Sequence, residues 1–219
     1  MKKFDTVIFD LDGTLADTLK DLTEGMNYAL GKMGYPTVSS DQAKQAVGPG
    51  KEEFVRVLFS GEDNPDTETF VSLFRERYWE CCLDQTRLYP GMDVVLDKLK
   101  DFKLSVASNK PIRFVEKILN GLGVRSQFKF TIGADEVEQA KPHPEMILRA
   151  LNEIQSDPHR TLFIGDTTND MEAGRNAGVT CCGVHYGYGN QAKVMESHPD
   201  FQITKPLELL DILCNHRNA

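Results

Sequence analysis

Asp10 and Asp12 stand two residues apart in the stretch FDLDGTLADT, directly after the apolar run Thr6-Val7-Ile8-Phe9, and Asp17 follows shortly after. Charge crowded at the mouth of a buried strand either shapes a polar turn, or is compensated by a cation and does chemistry. Three further groups favour chemistry. Ser108-Asn109-Lys110 follows the run Leu104-Ser105-Val106-Ala107, Lys141 stands in AKPHPE, and Gly165-Asp166 with Asn169-Asp170 follows Thr161-Leu162-Phe163-Ile164. In an open parallel sheet, groups placed after strand ends collect at one edge, where ligands bind. Carboxylates gathered there repel one another unless a cation sits among them, and an all-oxygen donor set suits a hard ion such as Mg²⁺. Lys141 and the Ser108 hydroxyl then complete what an anion needs, and phosphate is the natural candidate. One carboxylate would attack phosphorus to form an aspartyl-phosphate. A second would give a proton to the leaving oxygen and later take one from water.

The elements that must position these groups follow from periodicity. Continuous apolar runs, Val179-Thr180-Cys181-Cys182-Gly183-Val184 among them, suit strands covered on both faces. Between the runs, the sequence predicts helices over 112–122, 144–154, 169–177 and 206–213. This alternation predicts an α/β fold with a doubly wound, parallel-sheet, Rossmann-like core. Residues 16–88 break the pattern. Leu19, Leu22, Met26, Ala29, Leu30 and Met33 recur at helical spacing, as do Phe54, Val55, Leu58 and Phe59, then Phe70, Leu73, Phe74, Tyr78 and Trp79. No convincing buried strand lies among them. The expected arrangement is a core of residues 1–15 and 89–219 interrupted by an all-α helical cap over 16–88, hinged near Ala16-Asp17 and Leu88-Tyr89. Asp17 is then a helix N-terminal residue at the hinge.

Composition narrows the partners. The 219 residues suffice for one large domain, or for a core with a smaller companion. A net charge of −8 weighs against nucleic acid. It also means that an anionic ligand must find positive charge locally, from a metal ion or a well-placed lysine. The apolar stretches fall far short of the roughly 18 residues of a membrane helix, and Asp10 and Asp12 interrupt any signal-peptide core. The five cysteines are odd in number, include the adjacent pairs Cys81-Cys82 and Cys181-Cys182, and form no C-x-x-C. They read as small apolar side chains in a reducing compartment. The expectation is a cytoplasmic protein, monomer or homodimer, that acts on a small phosphorylated metabolite, without nucleic-acid or membrane partners.

DLDGT, Ser108-Asn109, Lys141-Pro142 and GDTTND resemble, in order and spacing, the four motifs of the haloacid dehalogenase-like phosphohydrolase superfamily. The resemblance covers essentially the whole chain, since the insertion after the first motif is similar to the helical type of cap. It implies Asp10 as nucleophile and Asp12 as general acid/base, with Ser108, Asn109 and Lys141 on the phosphate. It also implies Mg²⁺ held by Asp10, Asp166 and the backbone carbonyl of Asp12, with Asp170 supporting the site. Plainer roles compete at several positions. Ser108 and Asn109 could cap the helix beginning near Ile112, Lys141 could be a solvated lysine, and Asp170 could favour the positive end of its helix.

Within the superfamily, Asp12 argues against dehalogenases and phosphonoacetaldehyde hydrolases, which lack that aspartate. β-Phosphoglucomutases keep it but use a cap histidine, and the five histidines here all lie at or after His143. The chain is most similar to phosphoglycolate phosphatases, through VGPGKEEFV in the cap, YPGM, SNKPIRFVEKIL and GVHYGYGN. That similarity implies a Mg²⁺-dependent phosphatase acting on a small phosphate monoester. Gly48 and Gly50 would bring backbone close to the substrate, and Lys51 would meet a carboxylate, unless Gly48-Pro49-Gly50 is simply a tight turn between helices. Pyrophosphatases, sugar phosphatases and nucleotidases have similar cores, and a phosphotransferase or a silent sensor of a phosphometabolite are the alternatives from other classes.

Overall fold

In the computed structural model, residues 3–47, 51–59 and 65–214 are described. Six parallel strands form the central sheet: β1 (Thr6–Phe9), β4 (Lys103–Ser108), β5 (Phe130–Gly133), β6 (Thr161–Gly165), β7 (Thr180–Val184) and β8 (Phe201–Ile203). Their order across the sheet is β5-β4-β1-β6-β7-β8. Side chains alternate along each strand, so Val7 and Phe9 of β1 enter one core cluster while Ile8 enters the other. β4 and β6 divide likewise, with Val106 and Ile164 on the first side and Ala107 and Phe163 on the second. A sheet covered on both faces needs strands that are apolar throughout, which is what these runs are. Helices α5 (Met92–Lys98), α6 (Ile112–Gly121) and α10 (Leu209–Cys214) cover one face. On the other lie α7 (Glu145–Glu153), α8 (Thr168–Asn176) and α9 (Gln191–Glu196).

The insertion after β1 folds as α1 (Leu19–Lys32), α2 (Ser40–Ala46), α3 (Lys51–Leu58) and α4 (Thr67–Cys81). It is entered and left through a two-stranded antiparallel ribbon, β2 (Ala16–Asp17) and β3 (Arg87–Leu88), with Ala16 opposite Leu88 and Asp17 opposite Arg87. The chain therefore departs and returns side by side. Asp21 of α1, 2% exposed, clasps the return: its carboxylate accepts from Gln85 N, Thr86 N and Thr86 Oγ1 at 2.8 to 3.1 Å. With three donors, this buried charge is satisfied.

The predicted strands and helices form, with ends shifted by a residue or two. The expected 206–213 helix is instead a 3₁₀ turn, Pro206–Glu208, followed by α10. β5 and β8 were not expected, because four and three residues are too few to show a period. The cap does contain strand, contrary to expectation, but only as the two-residue β2 and β3 at its neck. All five cysteines are free and four are buried. Burial pushes the Cys81 thiol up to about 11 and the Cys181 thiol to about 12, as suits packing groups. Among the described residues, no helix is long and apolar enough to cross a membrane.

Candidate active site

Register brings the motif residues together. Phe9 pairs with Val106 on one side and with Ile164 on the other. The next residue, Asp10, donates its N–H to Ile164 O at 2.9 Å and so extends β1 by one position. Ser108 and Asp166 sit at the matching ends of the two flanking strands. DLDGT then turns sharply. Gly13 has φ +82°, and a Cβ there would stand 2.4 Å from Asp166 Oδ2, so only glycine fits. Gly165 has a different reason: its Cβ would overlap Asp170 Cβ at 2.3 Å, and its absence lets α8 start against the strand end.

Lys141 is 4% exposed and lies at the centre of the charge cluster. Its ammonium donates to Asp10 Oδ1 at 2.8 Å, Asp170 Oδ1 at 2.6 Å and Ala107 O at 2.9 Å. Asn109 fixes that lysine's backbone, giving Nδ2–H to Lys141 O at 2.9 Å and accepting Lys141 N–H at 3.0 Å. Asp170 Oδ2 accepts from Thr167 N at 3.0 Å and from Thr167 Oγ1 at 2.5 Å, closing a capping box on α8. Asp166 receives Tyr188 N at 2.6 Å, Gly189 N at 3.1 Å and Thr14 Oγ1 at 3.2 Å.

Asp10, Asp166 and Asp170 are buried, with carboxylate oxygens within 4.8 Å of one another. Burial, opposed by Lys141 and reinforced by Asp170, raises Asp10 to about 6. Burial, with Asp170 and Asp10 as neighbours, raises Asp166 to about 8. Burial also works against the Lys141 ammonium, but the two carboxylates outweigh it and hold its pKa above the usual value. With all three carboxylates ionised, the single lysine leaves two negative charges uncompensated. A divalent cation fits that deficit, and the donors are the hard oxygens it prefers. Asp166 accepts three hydrogen bonds but offers about four lone-pair sites, which leaves capacity for an ion.

Lys141→Met tests this balance through stability. Removing one partner of a buried ion pair typically costs about 3–5 kcal/mol. The wild-type ammonium stays charged well past neutrality, because its folded pKa is raised, so pH 5 to 8 does not titrate it. Asp10 and Asp166, already raised, climb further without it, and at pH 5 these two hold protons and need less counter-charge. Urea denaturation should therefore show the full loss at pH 8 and a smaller one at pH 5. Equal losses at both values would contradict the charge balance described.

Asp10, Ser108, Asn109, Lys141, Asp166 and Asp170 all line one cavity of about 350 Å³ between sheet edge and cap. Asp12 lines it too, but its side chain lies outside the acidic cluster. Asp12 Oδ2 pairs with Lys110 Nζ at 3.0 Å, and Oδ1 accepts from Thr18 Oγ1. Asp17 does serve the start of α1, accepting Leu19 N–H at 3.2 Å, and it also takes the Tyr188 hydroxyl at 2.8 Å. The capping role considered for Ser108 and Asn109 falls to another residue: Asp135 Oδ1 accepts Ile112 N–H at 2.7 Å, while Ser108 Oγ accepts Lys110 N–H at 3.4 Å. Gly48 and Gly50 lie outside the described residues, and Lys51 is described only as the first residue of α3. Lys110, Thr14, Thr18 and Tyr188 had no assigned role. Each lay in a stretch already singled out, Thr14 and Thr18 in FDLDGTLADT, Lys110 in the strand-end group and Tyr188 in GVHYGYGN.

The family model described as haloacid dehalogenase-like hydrolase matches residues 7–184. The chain belongs to that family. Among its hydrolase relatives, an N-acetylmuramic acid 6-phosphate phosphatase of Pseudomonas aeruginosa is 35% identical, over 94% of this chain and 93% of that protein. A phosphoglycolate phosphatase of Aquifex aeolicus is 32% identical, over 96% of this chain and 97% of that protein. The crystal structure of a predicted phosphoglycolate phosphatase from Haemophilus somnus superposes with a TM-score of 0.91 at 29% identity, covering 97% of this chain and 99% of that one.

Proposed function

We propose that this hydrolase is a phosphatase, a phosphoric monoester hydrolase that works through an aspartyl-phosphate on Asp10. The observation that supports this most is the placement of Asp10, 6% exposed, paired with Lys141 in the cavity that Ser108 and Asp12 also line. Lys141 holds Oδ1 of Asp10, which leaves Oδ2 to attack phosphorus. The Ser108 hydroxyl and the Asn109 region of the strand end receive the phosphate oxygens, and the Lys141 ammonium supplies positive charge beside them. Asp12 gives a proton to the leaving oxygen and takes one from the water that cleaves the acyl phosphate.

Asp10 and Asp166, with the Asp12 carbonyl and support from Asp170, would hold Mg²⁺, which supplies charge neutralisation for the carboxylates and the phosphate. The cap would span residues 16–88, with β2 and β3 as its neck, and carry the contacts to the leaving group. The cavity's cap side is mainly apolar, with Leu22, Val71 and Phe74, but also carries Arg75, and its volume is that of a small-metabolite site. The substrate proposed is a small phosphate monoester such as those named for the two relatives, with 2-phosphoglycolate the first to test.

Asp12→Asn separates the two aspartates. A positioned acid/base is typically worth about 10²–10⁴-fold in rate. Phosphate release from an alkyl ester such as 2-phosphoglycolate should fall by that range, and release from p-nitrophenyl phosphate, whose leaving group needs no proton, by much less. An equal fall on both esters would remove Asp12 from this role.

A further inference from the structure

Asp12 is held at its two oxygens by different parts of the molecule. Thr18, at the start of α1, binds Oδ1, and Lys110, just beyond β4, binds Oδ2. The Lys110 side chain is 6% exposed and its ammonium has a second contact. It donates to the Tyr78 phenol oxygen at 3.2 Å and stands 4.6 Å from the centre of that ring. Tyr78 belongs to α4 in the cap, whereas Lys110 belongs to the sheet edge. A continuous chain of buried polar contacts thus runs from cap to core and ends on Asp12.

We propose that Tyr78 is a positioning residue for Asp12, acting through Lys110, so that the acid/base is held in place only while the cap is seated. The proposal rests on the phosphatase reading and on the role of Asp12 within it. A lysine ammonium sits on a flexible four-carbon stem. Beside a phosphate dianion, an unrestrained Lys110 would turn towards the substrate and release Asp12. Tyr78 opposes this with a hydroxyl acceptor and a ring face, both of which attract a cation. The ring cannot follow the lysine, because it stacks on Phe74 at 5.4 Å and packs against Phe114 at 5.2 Å. Burial holds the phenol well above its ordinary pKa, so it meets the ammonium as a neutral hydroxyl.

Tyr78→Phe keeps the ring and its packing and removes only the hydroxyl. The test compares wild type, Tyr78→Phe, Lys110→Met and the double variant on phenyl phosphate and p-nitrophenyl phosphate. These two esters have closely similar shape and differ in how much their leaving group needs a proton. Since a well-placed acid is worth about 10²–10⁴-fold, partial loss of its orientation should cost Tyr78→Phe roughly tenfold in kcat on phenyl phosphate. On p-nitrophenyl phosphate, whose leaving group needs no proton, the loss in kcat should be several-fold smaller than on phenyl phosphate. Lys110→Met should show the same selectivity more strongly, and the double variant should match Lys110→Met alone, because Tyr78 acts only through Lys110. Equal losses on both esters, no loss on phenyl phosphate, or a further loss from Tyr78→Phe in the Lys110→Met background would each overturn the proposal. Wild type that releases phosphate from neither ester would overturn the phosphatase reading itself.

Discussion

Asp10→Asn is expected to remove phosphatase activity without unfolding the protein. The amide keeps the size and the Oδ1 acceptor that Lys141 uses, but its other atom is an NH₂ group and cannot attack phosphorus. Loss of an enzyme nucleophile has cost on the order of 10⁶-fold elsewhere, so residual turnover should be close to background. Stability should move the other way. Burial raises Asp10 to about 6, above its ordinary range, so in the folded state the ionised form is disfavoured. The stability this group allows is fully present below its unfolded pKa and is lost as pH rises through the folded value. At pH 8 the wild type carries that cost and the amide does not. Thermal unfolding of metal-free Asp10→Asn at pH 8 should therefore come no lower than that of wild type. A variant that melts far lower would show Asp10 to be a structural group.

Metal removal is the second large effect. EDTA should take activity to background, Mg²⁺ should restore it, and Ca²⁺ should restore it poorly, because it prefers more ligands at longer distances. The raised carboxylates add a pH signature that does not depend on turnover. Without a cation, Asp166 is raised to about 8 by burial and by its two acidic neighbours, so near neutrality it holds a proton that the ion must displace. Metal affinity then falls with pH, by about tenfold per unit below that value for one displaced proton. Calorimetry with MgCl₂ should show tighter binding at pH 8.5 than at pH 6.5, with proton release at the lower pH. Affinity independent of pH would mean that these carboxylates are not the ligands.

The sheet and the groups at its edge were legible because their demands are local. A doubly covered sheet requires uninterrupted apolar strands, and a charge placed immediately after such a strand has few uses other than a ligand. Asp10, Ser108, Lys141 and Asp166 could therefore be found one by one, and register did the rest. Asn109 was found as a strand-end residue, but not the hold of its amide on the Lys141 backbone, a pairing 32 positions apart that no local pattern encodes. The clasp of Asp21 on Thr86 and the hydroxyl of Tyr188 between Thr18 and Asp17 are equally non-local, and were invisible for that reason. Lys110 was visible as part of a strand-end group, but its partner on α4 was not, since only the folded cap brings Tyr78 over the sheet edge. β2 and β3 escaped notice because two residues carry no periodicity, although the ribbon they form falls where the chain pattern changed.

The most direct test of the phosphatase proposal is to look for the phosphoryl group on the protein. Wild type mixed with an excess of a turned-over phosphate monoester and Mg²⁺, then quenched in acid within the first turnovers, should carry one phosphoryl group. Peptide mass spectrometry should place it on Asp10. The adduct should be lost to hydroxylamine, as an acyl phosphate is, and be absent from Asp10→Asn. An adduct on any other residue, or rapid turnover by Asp10→Asn with no adduct at all, would contradict covalent catalysis at Asp10.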